Sequence, residues 1–370
     1  MLLHQFSFWL PFLLLRFFWS PLQIAEQTIT PRISDLFFQD RRLRITRIVL
    51  LLFPLITVAF ILDLFLIHFF SISIVLSLWF FLFGVSLDAL YFLFQRITGY
   101  LDPFYVSQLF TKEATKAIQE DRELDLYKWV DALAEEGIWA VNRSSEGVCN
   151  QVCNEIQKTA RVFLESSKVL PHVEESKEIP ELGVADKVSY TLFYLLDHLE
   201  KINTKAANKG LEAICNHIVT STGKIVISSA KYDISMASYP LFCLGKFSIE
   251  AQKKGMPNVG TKAIVTLVEV AKTILGEIDV TYLELQEPFK KLVDQIDEVT
   301  KEMFKQDKSL SVKFLIQPFL EIKALFESEK MRSHPDSEAI IQHINRALAE
   351  YTALEAILRT APPRPVKEEK

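Results

Sequence analysis

Two cysteines four residues apart, Cys149 and Cys153, are the first candidates for chemistry in this sequence. On a helix, residues four apart share a face, so both thiolates could reach one zinc ion. A structural zinc site needs four ligands, and neither Cys215 nor Cys243 belongs to a second Cys or His pair. We therefore predict buried thiols in a reducing compartment and no metal site.

Two Gly-Lys pairs, Gly223-Lys224 and Gly245-Lys246, resemble the end of a phosphate-binding loop. Such a loop needs another glycine five residues before the first and a Ser or Thr after the lysine. Position 218 is Ile, the residue after Lys224 is also Ile, and Tyr239-Pro240 precedes the second pair. Neither pair is predicted to bind a nucleotide.

The histidines beyond residue 100 stand singly, at His172, His198, His217, His334 and His343. Asp197-His198 is no dyad, because neighbouring residues on a helix point apart. The sequence has no nucleophile elbow, HExxH or GxGxxG motif. No catalytic residue and no cofactor are assigned, and the chain is not predicted to be an enzyme. Catalysis by residues distant in sequence stays open.

Two acids in apolar surroundings, Asp63 and Asp88, are the remaining candidates. Acids inside a membrane often mark ion paths. Both lie towards the ends of their apolar segments, so interfacial or packing roles are favoured over transport.

Charge and hydrophobicity divide the chain into two parts. Of the 28 phenylalanines, 17 lie in residues 1–94, and the first lysine is Lys112. Residues 1–100 have a net charge of +2, and the remainder has −7. Because phosphate binding needs a clustered basic face, a mildly acidic C-terminal part argues against nucleic acid, and none is predicted as a partner.

The apolar stretch 46–94 predicts a transmembrane hairpin. From Ile48 to Phe94 the only ionisable side chains are Asp63, His68, Asp88 and Tyr91. As one helix it would be ~70 Å long, about twice a bilayer core. We predict two spans, 46–67 and 72–94, joined by a tight turn.

Arginines predict the orientation of this hairpin. Arg41, Arg42, Arg44 and Arg47 precede the first span, Arg96 follows the second, and the turn has no Lys or Arg. The positive-inside rule then places both flanks in the cytoplasm. We expect an integral protein of a bacterial inner membrane with its large C-terminal part in the cytoplasm.

Residues 1–45 precede the hairpin. Residues 1–20 are apolar but contain His4, Pro11 and Arg16. They predict either an interfacial segment or a third membrane span. Thr30-Pro31 is typical of a helix start, and residues 21–45 are predicted to form an Arg-rich juxtamembrane helix.

Beyond the hairpin, apolar residues recur with helical spacing almost throughout, so the fold class is predicted as all-α. Asp102-Pro103 marks a helix start. We predict a helical subdomain over 101–170, a linker over 171–183 rich in Pro and Glu, and a helical domain over 184–360. The tail 361–370 contains three prolines and is expected to be disordered. Lys224–Ser229 is ambiguous between helix and strand.

Short segments within the C-terminal part echo one another. Residues 152–156 (VCNEI) resemble 214–218 (ICNHI), 208–214 resemble 258–264, and 338–344 resemble 212–218, at offsets of 62, 50 and 126. These echoes arise either by chance between amphipathic helices or from stacked helix pairs. In the second case residues 203–280 resemble bacterial HEAT- or armadillo-like helical repeats, which implies an irregular α-solenoid with a partner-binding surface.

The paired segments Ile48–Phe70 and Ser71–Phe94 also resemble the bilobed hydrophobic pattern of chlamydial inclusion-membrane proteins. These features are compatible with two functions. The first is a membrane-anchored helical scaffold that binds a protein not identified by the sequence. The second is a subunit of a membrane transport or channel assembly that uses Asp63 or Asp88. The lipid bilayer is the expected partner in both, and the hairpin is where a homo-oligomer would form.

Overall fold

The computed structural model describes residues 33–62, 71–169 and 184–360. Throughout these residues the regular elements are helices and no strand occurs, so the all-α fold class is confirmed there. The chain divides into two compact units, with the boundary between Phe110 and Thr111.

The first unit contains α1 (Ile33–Gln39), α2 (Arg41–Leu62) and α3 (Ile72–Tyr100), and α2 packs along α3. The indole Nε1 of Trp79 donates to Thr57 Oγ1 at 3.2 Å. The Trp79 ring stacks on Phe83 with 5.3 Å between centroids. Both stacked rings belong to α3, and the Phe53 ring of α2 lies 6.1 Å from each of them between centroids. The hydrogen bond and these ring contacts therefore hold the two helices against each other.

Both helices of this pair are long and apolar enough to cross a membrane. Their 22 and 29 residues correspond to ~33 and ~44 Å, against a hydrocarbon core of ~30 Å. Large apolar side chains stay exposed along them, for example Leu55 at 66% and Phe81 at 68%. The predicted turn lies largely in residues 63–70, outside the described residues, as do residues 1–32.

Helix α4 (Pro103–Gln119) begins at the predicted Asp102-Pro103 start. Asp102 Oδ1 accepts from the backbone N–H of Phe104 at 3.0 Å. A carboxylate that accepts from a first-turn amide satisfies one of the donors left unpaired at a helix start. The predicted helix start at Asp102-Pro103 is therefore confirmed, with Asp102 as its capping residue.

The second unit is a series of helix pairs. The bounds are α5 Glu123–Asn142, α6 Glu146–Val169, α7 Val184–Asn208, α8 Glu212–Tyr232, α9 Ser238–Lys253, α10 Pro257–Glu277, α11 Gln286–Gln306, α12 Val312–Phe326, α13 Glu329–Arg332 and α14 Ser337–Thr360, with a 3₁₀ turn at Ile234–Ala237. Helical spacing in the sequence predicts helices near 184–203, 207–230, 234–254, 258–277, 282–307, 310–329 and 336–359, and the observed helices begin and end within about five residues of these bounds. The ambiguous Lys224–Ser229 lies inside α8, so it is helical.

Successive pairs stack in two layers. One layer runs α5, α7, α9, α11 and α14, and the other runs α6, α8, α10 and α12, each helix packing on the next of its own layer. Such nearest-neighbour packing defines helical-repeat folds. The buried apolar core lies between the two layers, with Phe247 and Phe289 fully enclosed.

Side-chain bonds between successive pairs recur at a nearly constant separation. Lys231–Glu277 and Lys246–Glu200 join residues 46 apart, and Lys272–Glu321 and Lys301–Glu350 join residues 49 apart. At the first interface the separation rises to 63, as in His217–Asn154. The longer separation contains residues 170–183. The repeat therefore has a regular period with one longer connection.

This packing accounts for one of the three sequence echoes. Residues 152–156 and 214–218 lie on α6 and α8, neighbours in one layer, whereas 208–214 run from the last residue of α7 into α8 and 258–264 lie within α10. The third echo joins α14 to α8, which belong to different layers. That similarity therefore reflects amphipathic spacing and not an equivalent position.

Candidate functional site

A strip of aromatic side chains crosses three helices of the first layer. It contains Tyr127 on α5, Tyr190, Phe193 and Tyr194 on α7, and Tyr239 and Phe242 on α9, and we call it the aromatic strip. The rings of Phe193 and Tyr239 lie 3.8 Å apart between centroids, and those of Tyr127 and Tyr194 lie 4.7 Å apart. The rings therefore connect across the helix boundaries.

Parts of this strip are open to solvent. Tyr190 is 54% exposed, Phe193 43% and Phe242 37%. Large aromatic side chains are costly to leave in water, and they are enriched at protein-protein interfaces. Since each ring is held by neighbouring rings, little side-chain freedom remains to be lost when a partner covers them.

Charged side chains border the α9 end of the strip. The Lys291 ammonium lies 5.2 Å from the centre of the Phe242 ring, a cation–π distance. The Glu250 carboxylate accepts from Thr204 Oγ1 at 3.0 Å, and Lys246 pairs with Glu200 at 2.5 Å. Phe242, Glu200, Lys246 and Glu250 line a shallow cleft of about 340 Å³. An apolar centre with a polar rim is the usual anatomy of a protein-binding surface.

An acid and a histidine lie beneath the other end of the strip. The Tyr194 hydroxyl donates to Asp131, and His198 Nε2 lies 3.1 Å from the same carboxylate. Burial lowers the pKa of His198, and nearby Lys201 acts in the same direction. Burial therefore favours the neutral form of the imidazole, which lies between α5 and α7. As predicted, Asp197 and His198 do not form a dyad. The carboxylate beside His198 belongs to Asp131, on another helix.

The arginines predicted to orient the hairpin lie at one end of the first unit. Arg96 Nε donates to Asp40 at 3.1 Å and its guanidinium also bonds the Tyr105 hydroxyl. The Arg47 guanidinium lies 5.2 Å from the centre of the Phe37 ring. Arg41, Arg42 and Arg44 are exposed. The structure thus brings the base of α2 and the end of α3 together, and their orienting role stays a prediction.

Of the two acids predicted from the sequence, Asp88 lies within the described residues. Asp63 lies outside the described residues. Asp88 is exposed on α3. A functional role for either acid stays a prediction.

The cysteines lie in the core of the second unit. Cys149, Cys153, Cys215 and Cys243 are all buried. A hydrogen bond with Cys149, followed by burial, raises the pKa of Cys153, and burial raises the pKa of Cys215 to about 12. Thiols held in this way are poor nucleophiles. Among the described residues, no group of three or more His, Cys, Asp or Glu side chains is placed to hold a metal ion.

Both Gly-Lys pairs have a packing role. A Cβ at Gly223 on α8 would overlap Thr266 Cγ2 of α10, and a Cβ at Gly245 on α9 would overlap the Gln295 side chain of α11. Each glycine therefore permits close approach between neighbours of one layer. Lys246 forms the salt bridge with Glu200.

The aromatic strip was not predicted from the sequence. Its local signals are on α7, where Phe193 and Tyr194 follow Tyr190 by three and four residues, and on α9, where Phe242 follows Tyr239 by three. The joining of α7 to α5 and α9 depends on the pairing of distant helices, which no motif reports.

The described residues define the class: an all-helical fold with repeat-like packing, preceded by a pair of long apolar helices. No family model and no curated protein matches the sequence. Among solved structures, the chain is similar to a circular tandem repeat protein with novel repeat topology and enhanced subunit contact surfaces. The identity is 12%, the match covers 91% of this chain and 78% of that one, and the TM-score is 0.41.

Proposed function

We propose that this chain is a membrane-anchored scaffold that presents the aromatic strip to a protein partner. The observation that carries the proposal is the exposure of linked aromatic rings on neighbouring repeats. Helical-repeat proteins use surfaces formed across several repeats for binding. Exposed aromatic clusters with a charged rim mark such surfaces in general.

The hairpin supports the anchoring half of the proposal. Exposed apolar side chains continue along both α2 and α3, whose length fits a bilayer core. In water such a surface would drive aggregation, whereas in lipid it is solvated. The arginine-rich base suits the cytoplasmic, anionic leaflet, so the repeat unit would bind its partner in the cytoplasm.

Site-specific photocrosslinking in the full-length, membrane-bound chain tests the binding half. A photoreactive residue replaces Phe193 or Phe242 in the strip, and a matched control replaces Val265, which is 45% exposed on α10 in the other layer. We expect one discrete adduct from both strip positions and none from position 265, because the partner covers only the first layer.

The double variant Tyr190→Ala with Phe242→Ala provides the energetic check. Tyr190 is 54% and Phe242 37% exposed, and neither belongs to the fully buried core, so the fold should stay intact. The adduct at position 193 should fall at least tenfold, as expected when two anchoring aromatics are removed. Equal adduct yields at positions 193 and 265, or an unchanged yield in the double variant, would contradict the proposal.

A further inference from the structure

One face of α3 points away from α2 along most of the hairpin. It carries Ser77, Phe81, Gly84, Asp88, Tyr91 and Gln95, all exposed, and we call it the Asp88 face. Its members are spaced alternately by four and three residues, which repeats every seven and forms a straight seam on a helix. The buried residues of α3, Val75, Ser86, Leu93 and Tyr100, lie on the opposite side by the same spacing.

Asp88 is an ionisable side chain on a helix face that would contact lipid, where such groups are costly. It precedes Arg96 by eight residues, so it lies ~12 Å deeper along the helix axis than the arginine at the base. A carboxyl group at that depth needs hydrogen-bond donors, because lipid supplies none. Such groups in membrane helices face other helices or water-filled cavities.

Suitable donors occur on the same face. Gln95 Nε2 donates to the Tyr91 hydroxyl oxygen at 2.8 Å. That oxygen acts as acceptor in this bond, so its own proton remains available for donation. Tyr91 is three residues from Asp88, which is about one helical turn. One face therefore offers both an acceptor and a donor at a fixed separation.

Gly84 makes close approach to this face feasible. A Cβ built there would meet no atom within 4 Å, so nothing in the described residues requires a glycine at this position. A glycine on a lipid-facing surface lets the backbone of a second helix approach closely.

We propose that the Asp88 face is the interface of a parallel homodimer, in which Asp88 of each copy accepts a hydrogen bond from Tyr91 of the other. A second copy fits because acceptor and donor lie on one face and two-fold symmetry satisfies both pairs at once. The copies are parallel because the arginines insert each chain in the same direction. The inference rests on the membrane anchoring proposed above.

Disulfide crosslinking of the full-length chain in membranes tests this interface. Gly84→Cys lies on the Asp88 face, and Val85→Cys, the matched control, is exposed one position off it. We expect mild oxidation to convert most of the Gly84→Cys chain to a species of twice the mass. Val85→Cys should stay at the level of the unsubstituted chain, whose four cysteines are buried.

Substitutions of Asp88 and Tyr91, made in the Gly84→Cys chain, test the proposed hydrogen bond between the two copies. Asp88→Leu and Tyr91→Phe should each lower the dimer yield at least threefold, whereas Asp88→Asn, which keeps an acceptor, should retain it. Equal dimer yields for Gly84→Cys and Val85→Cys, or a disulfide adduct with a different protein, would show that the Asp88 face does not bind a second copy of this chain.

Alkaline carbonate extraction separates this inference from the proposed function. A chain that stays in the membrane but gives no Gly84→Cys dimer overturns the homodimer alone. A chain that carbonate releases overturns the anchoring and the homodimer together.

Discussion

His198 and His217 each lie between helices of successive pairs. His217 Nε2 donates to Asn154 Oδ1 at 3.0 Å, and His198 faces Asp131. Burial lowers the pKa of both, and a nearby lysine, Lys224 in the case of His217, adds to the effect. The folded state therefore favours the neutral form of both histidines at the interface between the first two pairs.

Acid should loosen this interface. A histidine whose folded pKa is lowered binds a proton more readily when unfolded, so its contribution to stability is complete above the unfolded value of about 6.5 and is lost as the pH falls below it. We expect the free energy of unfolding to decrease between pH 7.5 and 5.5, as measured by urea denaturation followed by circular dichroism.

The control for this prediction is His198→Gln with His217→Gln, which keeps donors for Asp131 and Asn154 without titrating. Its stability should decrease less than that of the parent over the same pH interval. A parent and a variant with parallel pH profiles would show that these two histidines do not link protonation to stability.

At the scale of the elements, the close packing of α8 against α10 requires a residue without a side chain at position 223. Gly223 has no room for a Cβ because Thr266 Cγ2 occupies the space. Gly223→Ala should destabilise the protein by about 1–3 kcal/mol through overpacking, less the roughly 1 kcal/mol that alanine gains over glycine in helix propensity.

Thr266→Ser in the same chain should restore most of the loss. It removes the overlapping methyl group and keeps the hydroxyl that donates to Lys262 O at 2.8 Å. Gly276→Ala is the matched control, because a Cβ at that helical position meets no atom within 4 Å; it should be neutral or stabilising. Urea unfolding midpoints measure all three. Equal losses for Gly223→Ala and the double variant would show that Thr266 is not the obstacle.

Local sequence signals predicted most of these elements but not their assembly. Helical periodicity and the Asp102-Pro103 cap located the helices because both act over one or two turns. Lys224–Ser229 was ambiguous because Ile225, Val226 and Ile227 favour a strand by propensity, and burial within a long helix overrides that preference. The aromatic strip joins helices whose pairing is set by tertiary packing, so the sequence alone gave no reason to group its rings.

For the whole molecule, the exposed arginines provide a test of orientation. Replacing Arg41, Arg42 and Arg44 by Gln removes three charges without touching the Arg96–Asp40 bond. We expect part of the population to invert, because the positive-inside rule acts through Lys and Arg close to the spans.

An epitope after Lys370 reports the orientation through its sensitivity to protease added outside intact cells. It should be protected in the parent and in the variant with Lys at the same three positions. It should be cleaved in a measurable fraction of the Gln variant. Cleavage of the parent to the same extent would place the repeat unit on the opposite side from that expected.

The recurring separation of 46–49 residues between bonded helices also has a mechanical consequence. Among the described helices, the packing joins each pair to its neighbours in the series. Under tension applied to its C-terminal end, such a chain would yield from that end, with α14 leaving α11 first. The protein would then lengthen in steps, and the early repeats with their aromatic surface would be the last to open.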